Sequence, residues 1–173
     1  IKNLVKRFGD RAVLDGIDIA IPEGKITVIM GGSGCGKSTL LRHLIGLHQP
    51  TSGEVWVDGR NIAGLDEKGM NEVRKKFGML FQGSALFNSM TVGQNVAVPL
   101  KEHTDLSPEI IKIIVRVKLE LVGLTGFENF MPHEISGGMK KRVALARAIA
   151  LDPKIVFYDE PGAGLDPITA SMI

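Results

Sequence analysis

Residues 31–39, Gly31-Gly32-Ser33-Gly34-Cys35-Gly36-Lys37-Ser38-Thr39, hold the most legible chemistry of this chain. Their spacing fits G-x-x-x-x-G-K-[ST] from Gly31 to Ser38, the pattern of a phosphate-binding loop, or P-loop. A polyphosphate is met by backbone N–H groups turned inward, and a Cβ would obstruct that turn. Glycines at 31, 32, 34 and 36 remove the obstruction. Lys37 supplies a mobile positive charge for the β- and γ-phosphates, and the Ser38 hydroxyl is a ligand for Mg2+. Ser33, Cys35 and Thr39 complete the loop, with Cys35 read as a small filler rather than a redox switch. A thiol beside Lys37 is nonetheless open to alkylation.

Other polar residues stand where ligands are met. Gln82 follows the apolar run Phe77-Gly78-Met79-Leu80-Phe81, and the carboxylates Asp159-Glu160 follow Lys154-Ile155-Val156-Phe157-Tyr158. In an open α/β sheet the carboxyl ends of buried strands face ligands. Phe8, at the end of the first apolar-polar alternation, is a candidate to stack on adenine; an ordinary surface or core aromatic is the equal alternative.

The elements that must position these groups follow from periodicity. Lys25-Ile26-Thr27-Val28-Ile29-Met30 is predicted as a buried strand leading into the loop, and Leu40-Leu41-Arg42-His43-Leu44-Ile45 continues the helix that begins near Lys37 and ends near Gly46. Residues 1–7 and 13–21 alternate around Gly9-Asp10 and predict a small antiparallel sheet, joined by a strand at 54–59. Trp56 in that strand is read as packing. A charged helix spans 66–75. From Ser84 onward the pattern turns helical: 91–98, 107–121 with Ser107 as N-cap and Pro108 at its first position, and a helix opening at Ser136. Residues 84–150 therefore read as a helical subdomain inserted within one domain, 1–173.

Composition sets limits. The chain has 173 residues, 21 Lys plus Arg against 19 Asp plus Glu, and a net charge of +2. It can bury a proper core, and it shows no basic stripe of the kind a duplex binder needs, so nucleic acid is not expected as a partner. One cysteine excludes an internal disulfide and fits a reducing compartment. The greasiest stretch, 110–122, is broken by Lys112, Arg116, Lys118 and Glu120, so no transmembrane helix is expected. Ile1 is not an initiator methionine, and a helix start at Asp166-Pro167-Ile168-Thr169 meets the end of the chain. A fragment truncated at its C-terminus is the expectation.

At Ile135-Ser136-Gly137-Gly138-Met139 the sequence resembles the ATP-binding subunit of ABC transporters, and with the P-loop, Gln82, the strand ending in Asp159-Glu160 and Gly164-Leu165-Asp166 the resemblance covers essentially the whole chain. It implies an α/β fold: an ABC-type P-loop domain with an antiparallel β-subdomain and a helical insert. It also implies ATP and Mg2+ as cofactors. Ser136, Gly137 and Gly138 would meet the ATP held by the P-loop of a second copy, giving a twofold nucleotide-sandwich dimer. Asp159 would hold the metal mostly through water, Glu160 would act as general base, and Gln82 would touch metal and water and report to the insert. Asp166 would bridge to the partner copy, and Lys37 would stabilise the transferred phosphoryl.

Departures from the family pattern carry expectations of their own. Met139 stands where most members have Gln, and Gly162-Ala163 replaces Thr-Ser. None of His43, His48, His103 and His133 occupies the position of the family's switch histidine, so nucleotide binding is expected to exceed hydrolysis in this stretch alone. Residues 82–92, 95–100, 136–139 and 158–168 look like the ATPase of phospholipid transport systems that work with MCE-domain proteins. The alternatives are a small-solute importer ATPase or a non-transport binding module. Residues 83–135 carry no sustained heptads, and only one cassette is present, which favours a transporter subunit. The implied setting is the cytoplasmic face of the inner membrane, reached through permease subunits, with MCE-domain and small accessory proteins as further partners. Lys140-Lys141-Arg142 is read as a solvated helix face rather than a site for acidic lipid heads.

Overall fold

The computed structural model describes residues 1–160, so the expectations on Gly162, Ala163 and Asp166 lie outside the described residues. The chain divides into two compact units, 1–74 and 75–173.

In the first unit β1 (Lys2–Phe8) pairs antiparallel with β2 (Arg11–Ile17) across Gly9-Asp10, in the register Leu4↔Ile17 and Phe8↔Arg11. After α1 (Lys37–Leu44), β3 (Ser52–Glu54) pairs with the other edge of β1, giving the order β2-β1-β3. Gly53 is required here: a Cβ would lie 2.2 Å from the Asn3 carbonyl oxygen, at φ +89. The expected strand at 54–59 is split. Its second half forms β4 (Trp56–Val57), which pairs with β5 (Arg60–Asn61) over Asp58-Gly59, both at positive φ as a tight hairpin demands. Then α2 (Glu67–Arg74) buries Met70 and Val73. Leu4, Leu14, Leu40, Leu44, Val55 and Ile62 are also buried. Trp56 is instead half-exposed, with Lys2 over its ring and its Nε1 donating to Glu54.

The buried strand expected over residues 25–30 does not form. Ile26, Val28 and Met30 are 94, 72 and 87% exposed. β-branched residues favour extended backbone, but a strand exists only through its ladder, and neither sheet of this unit, β2-β1-β3 or β4-β5, pairs with residues 25–30.

In the second unit β6 (Phe77–Leu80) and β7 (Ile155–Tyr158) pair in parallel, Phe77 opposite Ile155 and Leu80 opposite Tyr158. β7 is half-buried rather than buried, with Tyr158 exposed, because among the described residues of this unit β6 is its one ladder partner. Between the strands run α3 (Val92–His103), α4 (Pro108–Leu121) and α5 (Gly137–Ala148). Val92, Val96, Leu100, Val115, Leu119, Val143 and Ala146 make their shared core. Thr91 and Gln94 form a reciprocal capping box on α3, Ser107 caps α4 and Ser136 caps α5. α3 runs past Pro99, where the sequence suggests an end. Proline removes one donor near the last turn, and buried Ala97 and Leu100 hold the helix across it. The basic run at 140–142 is not a solvated face either. Lys141 is buried, and Arg142 donates to the Val122 and Gly123 carbonyls at the end of α4, where a cation offsets the helix dipole.

Candidate functional site

The glycine loop enters α1 through Gly36, the helix N-cap, at φ +103. A Cβ there would meet the Val13 carbonyl oxygen at 3.1 Å and Leu14 Cδ2 at 3.0 Å, so both backbone and space call for glycine. No side chain caps this end of the helix, and the N–H groups of a helix's first turn are the ones that an anion meets. The Lys37 ammonium folds back over the loop, donating to the Gly31 and Gly32 carbonyls at 2.8 and 2.9 Å and lying 3.9 Å from Cys35 Sγ. The cation thus sits on carbonyl dipoles that a phosphate would replace with full negative charge. Gly32 and Gly34 face open space. Cys35 is exposed, yet its Sγ fills the place a Gly31 Cβ would take, 2.6 Å from it. Ser38 and Thr39 lie in the first turn of α1, and Ser33 in the exposed part of the loop.

Phe8 ends β1 half-exposed, with Lys6 Nζ 5.2 Å from its ring centroid and His48 edge-on at 6.1 Å. His48 stacks on buried His43. Burial, then the nearby Lys6 charge, holds both imidazoles below their ordinary pKa, opposed at His43 by its bond to Thr39. The Thr39 carbonyl can only accept, so His43 Nδ1 carries the proton, and Nε2 is left without a partner.

In the second unit the parallel register of β6 and β7 brings three of the expected residues to one sheet end. The Asp159 N–H donates to the Leu80 carbonyl at 2.9 Å, which extends the ladder by one step. Just beyond it, Gln82 Nε2 donates to Glu160 Oε2 at 2.9 Å. Glu160 holds φ +49, a conformation a non-glycine residue adopts at a cost, and both side chains are exposed. Ser136 Oγ accepts from the Met139 N–H at 3.2 Å, and Gly137 has open space around its Cα.

Two residues that the spacing did not single out tie this unit together. Asn95, fully buried on α3, accepts from the Phe87 N–H and donates to the carbonyls of Phe87, Met90 and Thr91. Arg147, on α5, donates to the carbonyls of Ser84 and Ala85. In the sequence their signals were slight: a polar residue on an apolar helix face, and an arginine between alanines.

A family model described as ABC transporter matches residues 14–163. The chain belongs to the ABC transporter family. Its ATP-binding cassette fold is shared with solved family members: a dimeric cassette, MJ0796, in a post-hydrolysis state bound to ADP and Pi superposes with a TM-score of 0.91 at 35% identity, over 99% of this chain and 78% of that one. Among curated ABC proteins, the intermembrane phospholipid transport system ATP-binding protein MlaF of Haemophilus influenzae is 49% identical over all of this chain. The Mycobacterium leprae protein named "Probable ribonucleotide transport ATP-binding protein mkl" is 46% identical over the same span. The chain spans 66% and 50% of the lengths of these two relatives.

Proposed function

We propose that this chain binds and hydrolyses ATP as the energising subunit of an ABC transporter, and that the cargo is phospholipid. The observation that carries the reading is the glycine loop opening into an uncapped α1, with the Lys37 ammonium parked on the loop's own carbonyls. An entering β,γ-phosphate draws Lys37 off those carbonyls and takes the loop amides of residues 31–36 and the first turn at Ser38 and Thr39. Phe8 stacks on the adenine. Glu160 accepts a proton from the attacking water as its oxygen bonds to the γ-phosphorus and the bond to the ADP oxygen breaks; Gln82, already on Glu160, orients both. Ser136, Gly137 and Gly138 of a second copy close over the same nucleotide, with Asp166 bridging the copies.

Ser38, Gln82 and Asp159 supply oxygen donors that suit Mg2+. Mg2+ keeps several of its waters and is bound largely by phosphate, so few protein donors are needed. When bound, the ion would neutralise charge on the β- and γ-phosphates.

The identity to MlaF, named for intermembrane phospholipid transport, supports a phospholipid cargo. On this reading permease, MCE-domain and accessory proteins are the partners, and the subunit works at the cytoplasmic face of the inner membrane. No helix among the described residues is long and apolar enough to cross a bilayer; the attachment proposed is through the permease. The second reading, a small-solute or ribonucleotide transporter, draws on the similarity to the mycobacterial protein. Replacing Glu160 by Gln in the full-length subunit is expected to lower ATP turnover on the order of 100-fold or more while ATP still binds; unchanged turnover would remove Glu160 from the reaction. Stimulation of the assembled transporter by ribonucleotide rather than phospholipid would favour the second reading.

A further inference from the structure

We propose that Arg147 is a positioning residue for hydrolysis: from α5 it locks residues 84 and 85 so that Gln82 is held against Glu160. The inference rests on the hydrolytic role proposed for Glu160.

The segment after β6 has an unusual backbone. Ser84 and Ala85 both lie at left-handed φ, +63 and +47, where a side chain at Cβ is strained. Their local turns, Ser84 N–H to the Phe81 carbonyl and Ala85 N–H to the Gly83 carbonyl, satisfy the donors but leave two carbonyls pointing the same way. The guanidinium takes both at once, Nη2 on Ser84 at 2.9 Å and Nη1 on Ala85 at 2.8 Å, the planar fork being matched to two adjacent acceptors. Phe87 lies 6.0 Å from the guanidinium carbon. Partly burying a cation on neutral carbonyls carries a cost, and desolvation pulls the Arg147 pKa below its ordinary value. A cost of that kind is sustained where geometry is at stake.

Farther along, Asn95 fixes residues 87–91 from α3. On the other side, β6 is fixed to β7 through Leu80 opposite Tyr158. Between the strand end and the Arg147 clamp lie only Phe81, Gln82 and Gly83, so the clamp decides where the Gln82 amide points. Arg147 stands on the helix that Ser136 caps, about 16 Å along its axis from the Ser136-Gly137-Gly138 end. A push on that end is therefore passed by a rigid element to Gln82.

The test is a double-mutant cycle in the full-length subunit, with turnover counted per ATP-binding site so that unfolded material does not contribute. Arg147→Lys keeps the charge and most of the buried stem but loses the fork. Its kcat is expected to fall about 10- to 100-fold, as for a displaced positioning group, with KM for ATP within about twofold of wild type. In a Gln82→Ala background the same change should cost less than about twofold, because the route to the water is already gone. A loss of equal size in both backgrounds, a loss confined to KM, or no loss would overturn the proposal. Should Arg147→Lys not accumulate folded, Ser84→Gly combined with Ala85→Gly loosens the same segment without touching the arginine. It is expected to lower kcat several-fold only when Gln82 is present, and an unchanged kcat would equally overturn the proposal. Glu160→Gln is run alongside: if that variant turns over normally, the hydrolytic reading has failed rather than the role of Arg147.

Discussion

Gly36 shows how much a single residue decides here. Its left-handed φ and the nearness of Val13 and Leu14 make it the one glycine of the loop whose replacement strains backbone and packing together. Gly36→Ala is expected to destabilise the protein by about 1–3 kcal/mol, read as a lower denaturant midpoint with unchanged slope, and to weaken ATP binding. The loop was legible in the sequence because glycine spacing is itself the geometry: each missing Cβ is a statement about space. Lys37 was legible as a phosphate ligand, but its resting position on the Gly31 and Gly32 carbonyls was not, since a flexible stem takes whatever acceptor the fold offers. The contacts of Arg147 and Asn95 are illegible in the sequence for a related reason. Their partners are backbone carbonyls 62 to 63 and four to eight residues away, and carbonyls leave no mark in a sequence.

Among the elements, helices were read more accurately than strands. Caps are local, so Ser107, Ser136 and Thr91 announce their helices, and the observed starts agree. Strands depend on distant partners. Residues 25–30 have the composition of a buried strand and no ladder within their unit, and the run at 54–59 divides between two sheets. The segment 82–91 is the element on which the second unit turns: it leaves β6 carrying Gln82 and arrives at α3 under the control of Asn95. Asn95→Ala removes a fully buried side chain and four hydrogen bonds, leaving the Phe87 N–H unanswered. A loss of about 2–4 kcal/mol of stability is expected, measured by denaturant unfolding. Protection of the amides around 87–91 from hydrogen exchange should fall with it, well before that of the α4 core.

At the scale of the whole molecule, the residues proposed for nucleotide chemistry occur in both units. The glycine loop, Lys37, Ser38 and Phe8 belong to the first; Gln82, Asp159, Glu160 and the Ser136-Gly137-Gly138 end of α5 belong to the second. Ser136 caps its own helix, and among the described residues nothing lies within 4 Å of a Cβ placed at Gly137. On the proposed reading a second copy carrying ATP meets that end, nucleotide acts as the adhesive between copies, and its cleavage releases them. Light scattering of the full-length Glu160→Gln subunit, compared between saturating ATP with Mg2+ and saturating ADP with Mg2+, tests this most directly. A dimer in ATP that returns to monomer in ADP is the expected result; a monomer in both, with ATP demonstrably bound, would contradict it.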